Sequence, residues 1–437
     1  MAVQVETLEH LERRITLTLS ASEIRNEVQQ RLKQLSRTVK ADGFRPGKVP
    51  LSFVAQRYGG SVEYEVVTDR VGKAFADAAS EAQLRVAGAP RIAQKGFAEG
   101  DQIAFDATFE VYPEVRIGDL ATLAIERVAS EVTDAAIDRT VDILRRQRRS
   151  FDERAPGESA QDGDRVTIDF DGKIDGEPFA GGAAQGFSFV IGEGQMLEQF
   201  DRGVRGMKVG DNKTFPVRFP DDYGSRDVAG KEADFLVTMT KIEAQRLPEV
   251  DGAFVESLGL AEGTVEALRA DVRKNLEREV KLRVQARNKA AVMNALLGAA
   301  ELELPKALVD AEVERLKAQA RADLKERGVK DAENVPLPDD VFRPQAERRV
   351  RLGLIVTELV RVHELRAQSD QLRQYIEELS QSYENPAEVM RWYLGDRQRM
   401  ADVEAVVVER NVTDFVLARA QVSDKMLPFD ELMTAAS

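Results

Sequence analysis

The residue types that usually perform covalent, metal or proton-transfer chemistry are almost absent from this chain. It has no cysteine, which excludes disulfides, thiolate metal sites and cysteine nucleophiles. Its two histidines, His10 and His363, lie far apart in the sequence, so the chain has almost no residues from which to form a histidine metal cluster or a catalytic triad. No Gly-x-x-x-x-Gly-Lys-Ser/Thr loop is present for a nucleotide phosphate. We therefore expect no cofactor, no metal and no ATP-driven activity.

A short basic segment stands out instead: the octapeptide Gly43-Phe44-Arg45-Pro46-Gly47-Lys48-Val49-Pro50. It lies in a stretch from Arg25 to Arg57 with eight Lys or Arg against two acids, whereas the whole chain has a formal charge of −14. Its glycines and prolines favour a projecting loop. Phe44 offers an apolar contact, and Arg45 and Lys48 offer cations for a polyanionic surface. The alternative is an ordinary solvated turn.

The elements that would position this loop follow from the periodicity of apolar residues. These residues alternate over 15–19 and over 103–111, which predicts two strands. Ser20 and Glu23 can form a capping box for a helix after the first strand, and helical spacing returns over 62–78. The sequence therefore predicts an α+β region in which the octapeptide joins two helices.

A connector follows, in which Thr133 can cap a short helix. The helix ends in four arginines, Arg145, Arg146, Arg148 and Arg149. These arginines can form a second RNA contact, or they can be a solvated helix end at the favourable pole of the helix dipole.

Residues 151–245 are rich in glycine and phenylalanine and alternate with a period of two, as strands do. The alternating stretches are 166–170, 187–191 and 235–239, and the Gly-rich stretch 192–210 lies between the last two. The aromatic side chains of this region can line an apolar pocket or fill a β core. Phe189 and Val237 are expected to belong to the core.

From residue 246 onward the pattern is helical. Thr264 can cap a long helix, Pro305 suits the first turn of the next one, and Asn385 with Glu388 predicts a capping box for a later one. Residues 328–344 contain three prolines and predict a turn between two arms. The apolar stripes of these helices can pack on each other or bind other proteins, and no long heptad run predicts a coiled-coil rod.

These features together resemble one family. The octapeptide resembles the ribosome-docking signature of trigger factor, the bacterial nascent-chain chaperone. Residues 151–245 are similar to FK506-binding-protein (FKBP) type prolyl isomerases, a bent antiparallel sheet on a short helix. Leu304-Pro305 and the segment 383–389 resemble the trigger factor C-terminal domain, in which two helical arms form a cradle for unfolded chains. The resemblance implies a multidomain α+β chain with four segments: an α+β ribosome-binding domain (1–112), a linker (113–150), an FKBP-type isomerase domain (151–245) and an all-α chaperone domain with two arms (246–437).

The same resemblance implies which residues act. Ribosome binding would fall on Gly43, Phe44, Arg45, Pro46, Gly47 and Lys48. The proline pocket would consist of Phe170, Phe179, Phe187, Met196, Leu197, Phe200, Tyr223 and Phe235. Phe200 takes the floor position that is Trp in small single-domain isomerases. Ala180 replaces the Asp usual there, and the stretch after Tyr223 is shorter than in those proteins.

Rotation of an X-Pro amide suits an apolar pocket. The barrier is ~18–20 kcal/mol, and the planar amide is more charge-separated than the twisted transition state. An apolar cavity therefore disfavours the planar form, and each tenfold acceleration needs only ~1.4 kcal/mol of such differential stabilisation. No acid, base or metal is required.

The resemblance thus implies an ATP-independent chaperone that docks at the ribosomal polypeptide exit, shields emerging chains and isomerises X-Pro bonds. Its implied partners are RNA and protein of the large ribosomal subunit, nascent and unfolded polypeptides, and a second copy of the chain away from the ribosome. Neither membrane nor DNA is expected, since no apolar run is long enough to span a bilayer and the chain is acidic. The N-terminus lacks a secretory signal, and we expect a cytoplasmic protein. Two alternatives are a plain prolyl isomerase with a helical dimerisation scaffold, and a structural RNA-binding protein.

Overall fold

The structure is a computed structural model that describes residues 4–40, 44, 49–97, 101–225, 227–260, 263–381, 383 and 385–434. These residues form two compact units. Unit 1 comprises residues 1–128 and 285–425, and unit 2 comprises residues 129–284 and 426–437. This division into two units does not test the domain boundaries predicted at residues 112, 150 and 245, which stay a prediction.

The strands and helices are numbered in chain order. The strands are β1 (Val5–Thr7), β2 (Glu12–Ser20), β3 (Val86–Phe97), β4 (Gln102–Val111), β5 (Arg116–Ile117), β6 (Ala124–Ala129), β7 (Ser150–Glu153), β8 (Arg165–Ile174), β9 (Glu177–Val190), β10 (Asn212–Arg218), β11 (Glu232–Arg246), β12 (Ala300–Glu301) and β13 (Gln421–Met426). The helices are α1 (Ala21–Thr38), α2 (Leu51–Glu81), α3 (Asp134–Gln147), α4 (Glu198–Val204), α5 (Gly252–Ser257), α6 (Val265–Ala299), α7 (Lys306–Glu326), α8 (Asp339–His363), α9 (Ser369–Ser380), α10 (Pro386–Leu394), α11 (Arg397–Leu417) and α12 (Phe429–Thr434).

In unit 1, the antiparallel sheet β1-β2-β4-β3 packs against the second half of α2. The alternation predicted over 15–19 buries Ile15 and Leu17 on the face that meets Phe75 of α2. Ser20 caps α1, its hydroxyl accepting a hydrogen bond from the Glu23 amide at 3.3 Å. Both predicted strands and both predicted helices are confirmed, and β1 and β3 are additional strands.

The helices α1 and α2 pack on each other through a second cluster of unit 1. Its buried residues are Ile24, Leu32, Val49, Val54, Val62 and Val66. Val49, in the octapeptide, is 5% exposed. The octapeptide therefore joins the two helices as predicted, and its Val49 end is tied to their shared core.

The remaining helices of unit 1 form three further clusters. Parts of α6, α8 and α11 enclose Leu296, Ile355 and Val412 together with Leu120 and Ile125. The pair α7 and α8 packs through Val309, Val313, Leu316 and Ala346, and α9, α10 and α11 pack around Ile376, Val403 and Val407. The two-stranded sheets β5–β12 and β6–β13 complete the unit.

Three predictions about the helical region need correction. The turn predicted over 328–344 ends earlier, because α8 starts at Asp339 and contains Pro344. Packing of Phe342 and Ala346 of α8 on α7 outweighs the one backbone hydrogen bond that proline removes. Pro305 is the residue before α7 rather than its first helical residue. Asn385 precedes α10 as predicted, but its side chain binds the Glu388 carboxylate at 3.2 Å and accepts no capping hydrogen bond.

Unit 2 contains a five-stranded antiparallel sheet, β10-β11-β8-β9, with β7 also paired to β11. The short helix α4 lies over its apolar face. Thr133 caps α3 and Thr264 caps the start of α6, as predicted. These helices pack with α5 around Ile137, Phe254 and Leu268. In the described part of both units, no helix is long and apolar enough to cross a membrane.

Candidate functional site

The phenylalanine of α4 lies at the centre of an aromatic cluster on the unit 2 sheet. Phe200 is 1% exposed. Its ring centroid is 5.9 Å from that of Phe170 on β8 and 5.3 Å from that of Phe235 on β11. Phe189 and Phe215 contact the same ring at 6.0 and 5.3 Å. All four pairs meet edge to face, the geometry that aromatic quadrupoles favour.

The other predicted pocket residues surround this centre. Phe187 lies 5.8 Å from Phe170, and Phe179 lies 6.2 Å from Phe235. Met196 and Leu197 pack against the same cluster at the start of α4. Phe187 is 37% exposed and Tyr223 is 41% exposed, whereas Phe200 and Phe235 are buried. The structure thus brings the eight predicted residues together, with a buried floor and an exposed rim.

One aromatic residue of this cluster is absent from the sequence-based set. Phe219 is 6% exposed and contacts Phe179 at 6.0 Å, Phe235 at 6.5 Å and Tyr223 at 4.9 Å. It is the contact through which Tyr223 joins the cluster. A two-residue alternation over Phe215, Val217 and Phe219 is the signal that points to it.

Two glycines allow the aromatic rings to lie directly on the strands. A Cβ at Gly172 would come within 2.5 Å of the Phe235 ring, and one at Gly182 would come within 2.8 Å of the Phe179 ring. Any larger residue at either position would displace a ring that is predicted to line the pocket.

A Gly-rich turn at residues 192–197, here called the 192–197 turn, leads into α4 and carries Met196 and Leu197. The Gly192 amide donates to Oδ2 of Asp201 at 3.0 Å. Burial raises the pKa of Asp201, whose Oδ1 makes no hydrogen bond to any described residue. Arg149 forms a two-point contact with the Glu193 carboxylate, in which Nη2 lies 2.7 Å from Oε2.

An ion pair at the end of the sheet farther along β11 contributes to the acid sensitivity of unit 2. Arg165 donates to both carboxylate oxygens of Glu243 at 2.8 Å, and this contact lowers the pKa of Glu243 from 4.5 to about 2. The unfolded chain therefore binds this proton before the folded chain does. The stabilisation by the ionised pair is complete above pH 4.5 and is lost as the pH falls from 4.5 towards about 2.

We expect the Glu243→Gln variant to show a shallower loss of thermal stability between pH 5 and about 2.5 than the wild type. The variant starts from a lower Tm at pH 7, because the ionised pair is gone. Thermal unfolding followed by circular dichroism across this range is the measurement. Glu177→Gln, on the exposed start of β9, is the matched control, and an unchanged acid slope in Glu243→Gln contradicts the assignment.

Of the six predicted ribosome-binding residues, the structure describes one. Phe44 is 38% exposed, and its ring centroid lies 5.2 Å from that of Phe53 on α2. Gly43, Arg45, Pro46, Gly47 and Lys48 lie outside the described residues. Phe44 is therefore half-exposed while one side of its ring rests on α2.

Part of the basic stretch around the octapeptide is neutralised within unit 1. Arg25 pairs with Asp101 at 2.7 Å, and Arg31 pairs with Asp69 at 2.7 Å and Glu65 at 2.9 Å. The sequence count of eight cations against two acids therefore overstates the positive charge, since these acids come from outside the stretch.

The arginine cluster at the end of α3 also has internal partners. Arg145 donates to the Pro248 carbonyl at 2.9 Å and pairs with Asp142, and Arg149 binds Glu193 as described above. The sequence suggested two roles for this cluster, an RNA contact or a solvated helix end, and neither of them includes these internal contacts.

Histidine and metal chemistry have little support among the described residues. His10 lies 3.2 Å from Glu303 at the surface, and the His363 ring lies against Phe415. In the described ranges, no group of three His, Cys, Asp or Glu side chains could hold a metal ion.

Comparison with known proteins gives consistent matches along the chain. The family model described as bacterial trigger factor protein matches residues 1–144, and the model of the trigger factor C-terminus matches residues 264–418. Between them, the model of FKBP-type peptidyl-prolyl cis-trans isomerases matches residues 157–240. Residues 157–240 therefore form an isomerase domain of the FKBP type.

Curated relatives match over the full length. A protein named trigger factor from Methylibium petroleiphilum is 67% identical over 99% of this chain and 100% of its own length. One of the same name from Leptothrix cholodnii is 66% identical over 100% of both chains. A solved structure of the trigger factor chaperone covers 95% of this chain and 99% of its own chain, with a TM-score of 0.45 and 17% identity.

Proposed function

The chain belongs to the trigger factor family, the ribosome-associated chaperones with an FKBP-type prolyl isomerase domain, and on that premise we propose which residues perform each activity. The isomerase pocket is assigned to the aromatic cluster around Phe200. Ribosome docking is assigned to the octapeptide, and the binding of unfolded chains to the helices of residues 246–437.

The observation that carries the isomerase assignment is the division of the cluster into a buried floor and an exposed rim. Phe200 and Phe235 are almost fully buried, while Phe187 and Tyr223 remain accessible to a peptide. A proline ring that enters between them leaves water and faces aromatic and aliphatic side chains, with the Tyr223 hydroxyl as the one polar group among the eight predicted pocket side chains. Such an environment disfavours the charge-separated planar amide relative to the twisted transition state.

Docking at the ribosome is assigned to the octapeptide on its composition and on Phe44. The Phe44 side chain is exposed enough to contact a partner, and the contact with Phe53 restrains its ring before binding, which lowers the entropic cost. Arg45 and Lys48 would neutralise phosphates of the large subunit at the tunnel exit. Docking there is consistent with a cytoplasmic protein, and the proposal includes a homodimer as the form away from the ribosome and neither a membrane nor DNA as a partner.

A stand-alone isomerase with a helical scaffold is not favoured, because matches to the trigger factor models flank the isomerase domain on both sides. Two experiments test the proposed function. The first measures suppression of aggregation of a proline-free client, which needs the helices but no isomerisation. The second measures co-sedimentation with ribosomes that do and do not carry nascent chains. Failure in both, with isomerase activity intact, leaves the stand-alone alternative.

We expect isomerase activity to change less than about twofold between pH 6 and 8, because the eight pocket residues include no carboxylic acid, histidine or cysteine. Protease-free kinetics with a short X-Pro peptide at several pH values is the measurement. A steep bell-shaped profile instead requires an acid or base in the pocket.

A further inference from the structure

The 192–197 turn has few local hydrogen bonds: the Glu193 amide donates to the Val190 carbonyl at 3.4 Å, and the Gln195 side chain accepts from the Val190 amide at 3.1 Å. Gly192 has φ +85° and Gly194 has φ +71°, values that glycine adopts freely and other residues rarely do. A segment with two such glycines loses much conformational entropy when it is ordered. Yet its last residues, Met196 and Leu197, pack against the aromatic cluster. Contacts from elsewhere must therefore keep it in place.

Those contacts come from two sides. From α4, the carboxylate of Asp201 accepts the Gly192 amide at 3.0 Å. From outside the FKBP-type match, the Arg149 guanidinium binds the Glu193 carboxylate in two-point geometry. The Arg149 side chain is 16% exposed and that of Glu193 is 35% exposed, so the pair is better shielded than most surface ion pairs of this chain. A bidentate, partly buried pair fixes both position and direction.

The position of Arg149 is itself defined by the sheet. It is the residue directly before β7, whose Ser150 pairs with Arg246 at the end of β11. The next side chain, Phe151, lies beneath two guanidinium groups, that of Arg149 at 5.2 Å and that of Arg165 at 4.4 Å from the ring centroid. Backbone pairing and the cation–π contact thus orient Arg149 towards Glu193.

We propose that Arg149 is a positioning residue of the isomerase site: through Glu193 it holds the 192–197 turn, and thereby Met196 and Leu197, in the arrangement that binds the proline-containing peptide. The inference rests on the proposed function of the aromatic cluster. The proposal means that the connection between α3 and β7 contributes to isomerase activity. The family match to the isomerase begins only at residue 157.

The test is a charge exchange in the full chain, with kcat and KM measured on a short X-Pro peptide. Arg149→Glu and Glu193→Arg each place like charges together, and each should lower kcat/KM about fivefold, chiefly through a higher KM, because the pocket wall is displaced. The double variant restores the opposite charges and should return kcat/KM to within about twofold of the wild type. A residue that only stabilises the fold would change Tm without this recovery.

The matched control is Arg246→Ala. It breaks an ion pair with Asp152 in the same sheet that does not touch the turn, and its kinetics should equal those of the wild type. Arg149→Gln, which removes the charge without repulsion, is measured alongside in case Arg149→Glu fails to fold. Wild-type kinetics in both folded single variants, or no recovery in the double variant, overturns the inference. An inactive wild type overturns the proposed isomerase assignment instead.

Discussion

Replacing Phe200 or Phe235 by alanine is expected to lower kcat/KM for X-Pro isomerisation by about 10- to 100-fold and to leave ribosome binding unchanged. Both rings form the floor of the cluster, with centroids 5.3 Å apart, and each removal lets water reach the bound proline. Rehydration restores the preference for the planar amide, which removes the source of acceleration. Peptide isomerisation kinetics and ribosome co-sedimentation of the same preparations are the two measurements.

Both side chains are buried, so each alanine variant also loses about 3–5 kcal/mol of stability. Phe189→Ala separates the two effects, because Phe189 is 2% exposed, its ring centroid lies 6.0 Å from that of Phe200, and it is not among the eight residues predicted to line the pocket. We expect it to be destabilised equally while retaining near-normal kinetics at a temperature where all variants are folded. Equal loss of activity in Phe189→Ala, or normal activity in folded Phe200→Ala, means that the cluster is core and not site.

Joint replacement of Phe44, Arg45 and Pro46 by alanine is expected to abolish ribosome docking and to leave X-Pro isomerisation intact. The change removes an apolar contact, a cation and a rigid residue from one loop. Wild-type binding falls as salt rises, because phosphate neutralisation releases counterions. Co-sedimentation with ribosomes at two salt concentrations measures both effects, and the isomerase assay on the same protein confirms that unit 2 is folded.

The control for this experiment is replacement of Arg146 and Arg148 by alanine. It removes two positive charges from the other arginine-rich segment while sparing Arg145 and Arg149, which have the internal contacts described above. We expect near-normal docking, because positive charge at the end of a helix is favourable without any ligand. Retained, salt-insensitive binding by the triple variant refutes the assignment of docking to the octapeptide.

Local sequence patterns predicted those strands and helices that are determined by residues close to each other in the sequence. The alternation over 15–19 and the cap at Ser20 define β2 and α1, because burial on one face and a side-chain cap leave direct traces in neighbouring positions. The strand β3 has no such trace: Gly88, Pro90 and Gly96 interrupt it, and it is held by pairing with β4. Pro344 misled for the same reason, since the packing of α8 on α7 keeps this proline inside the helix.

In the candidate site, too, the contacts that depend on tertiary packing could not be predicted from the sequence. Its eight residues were predictable through family resemblance, but Phe219 and the pair Arg149–Glu193 were not. Arg149 and Glu193 are 44 residues apart in the sequence, and their contact depends on the pairing of β7 with β11. Read locally, Arg149 is one of four arginines at a helix end. Only the tertiary pairing distinguishes it from Arg146 and Arg148.

Unit 1 consists of two separate stretches of the chain, so its folding depends on the order in which the ribosome synthesises them. Unit 2 leaves unit 1 at Val128 and the chain re-enters near Asn288, whose side-chain amide donates to the Val128 carbonyl and accepts from its N–H at 3.0 and 2.7 Å. Arg127 then meets Asp424, 297 positions later. During vectorial synthesis the helical core of unit 1 therefore stays open until its last strand has left the ribosome, whereas the sheet of unit 2, an insertion, has all its strands much earlier. A chaperone of nascent chains therefore cannot close its own helical core until Asp424 has been synthesised.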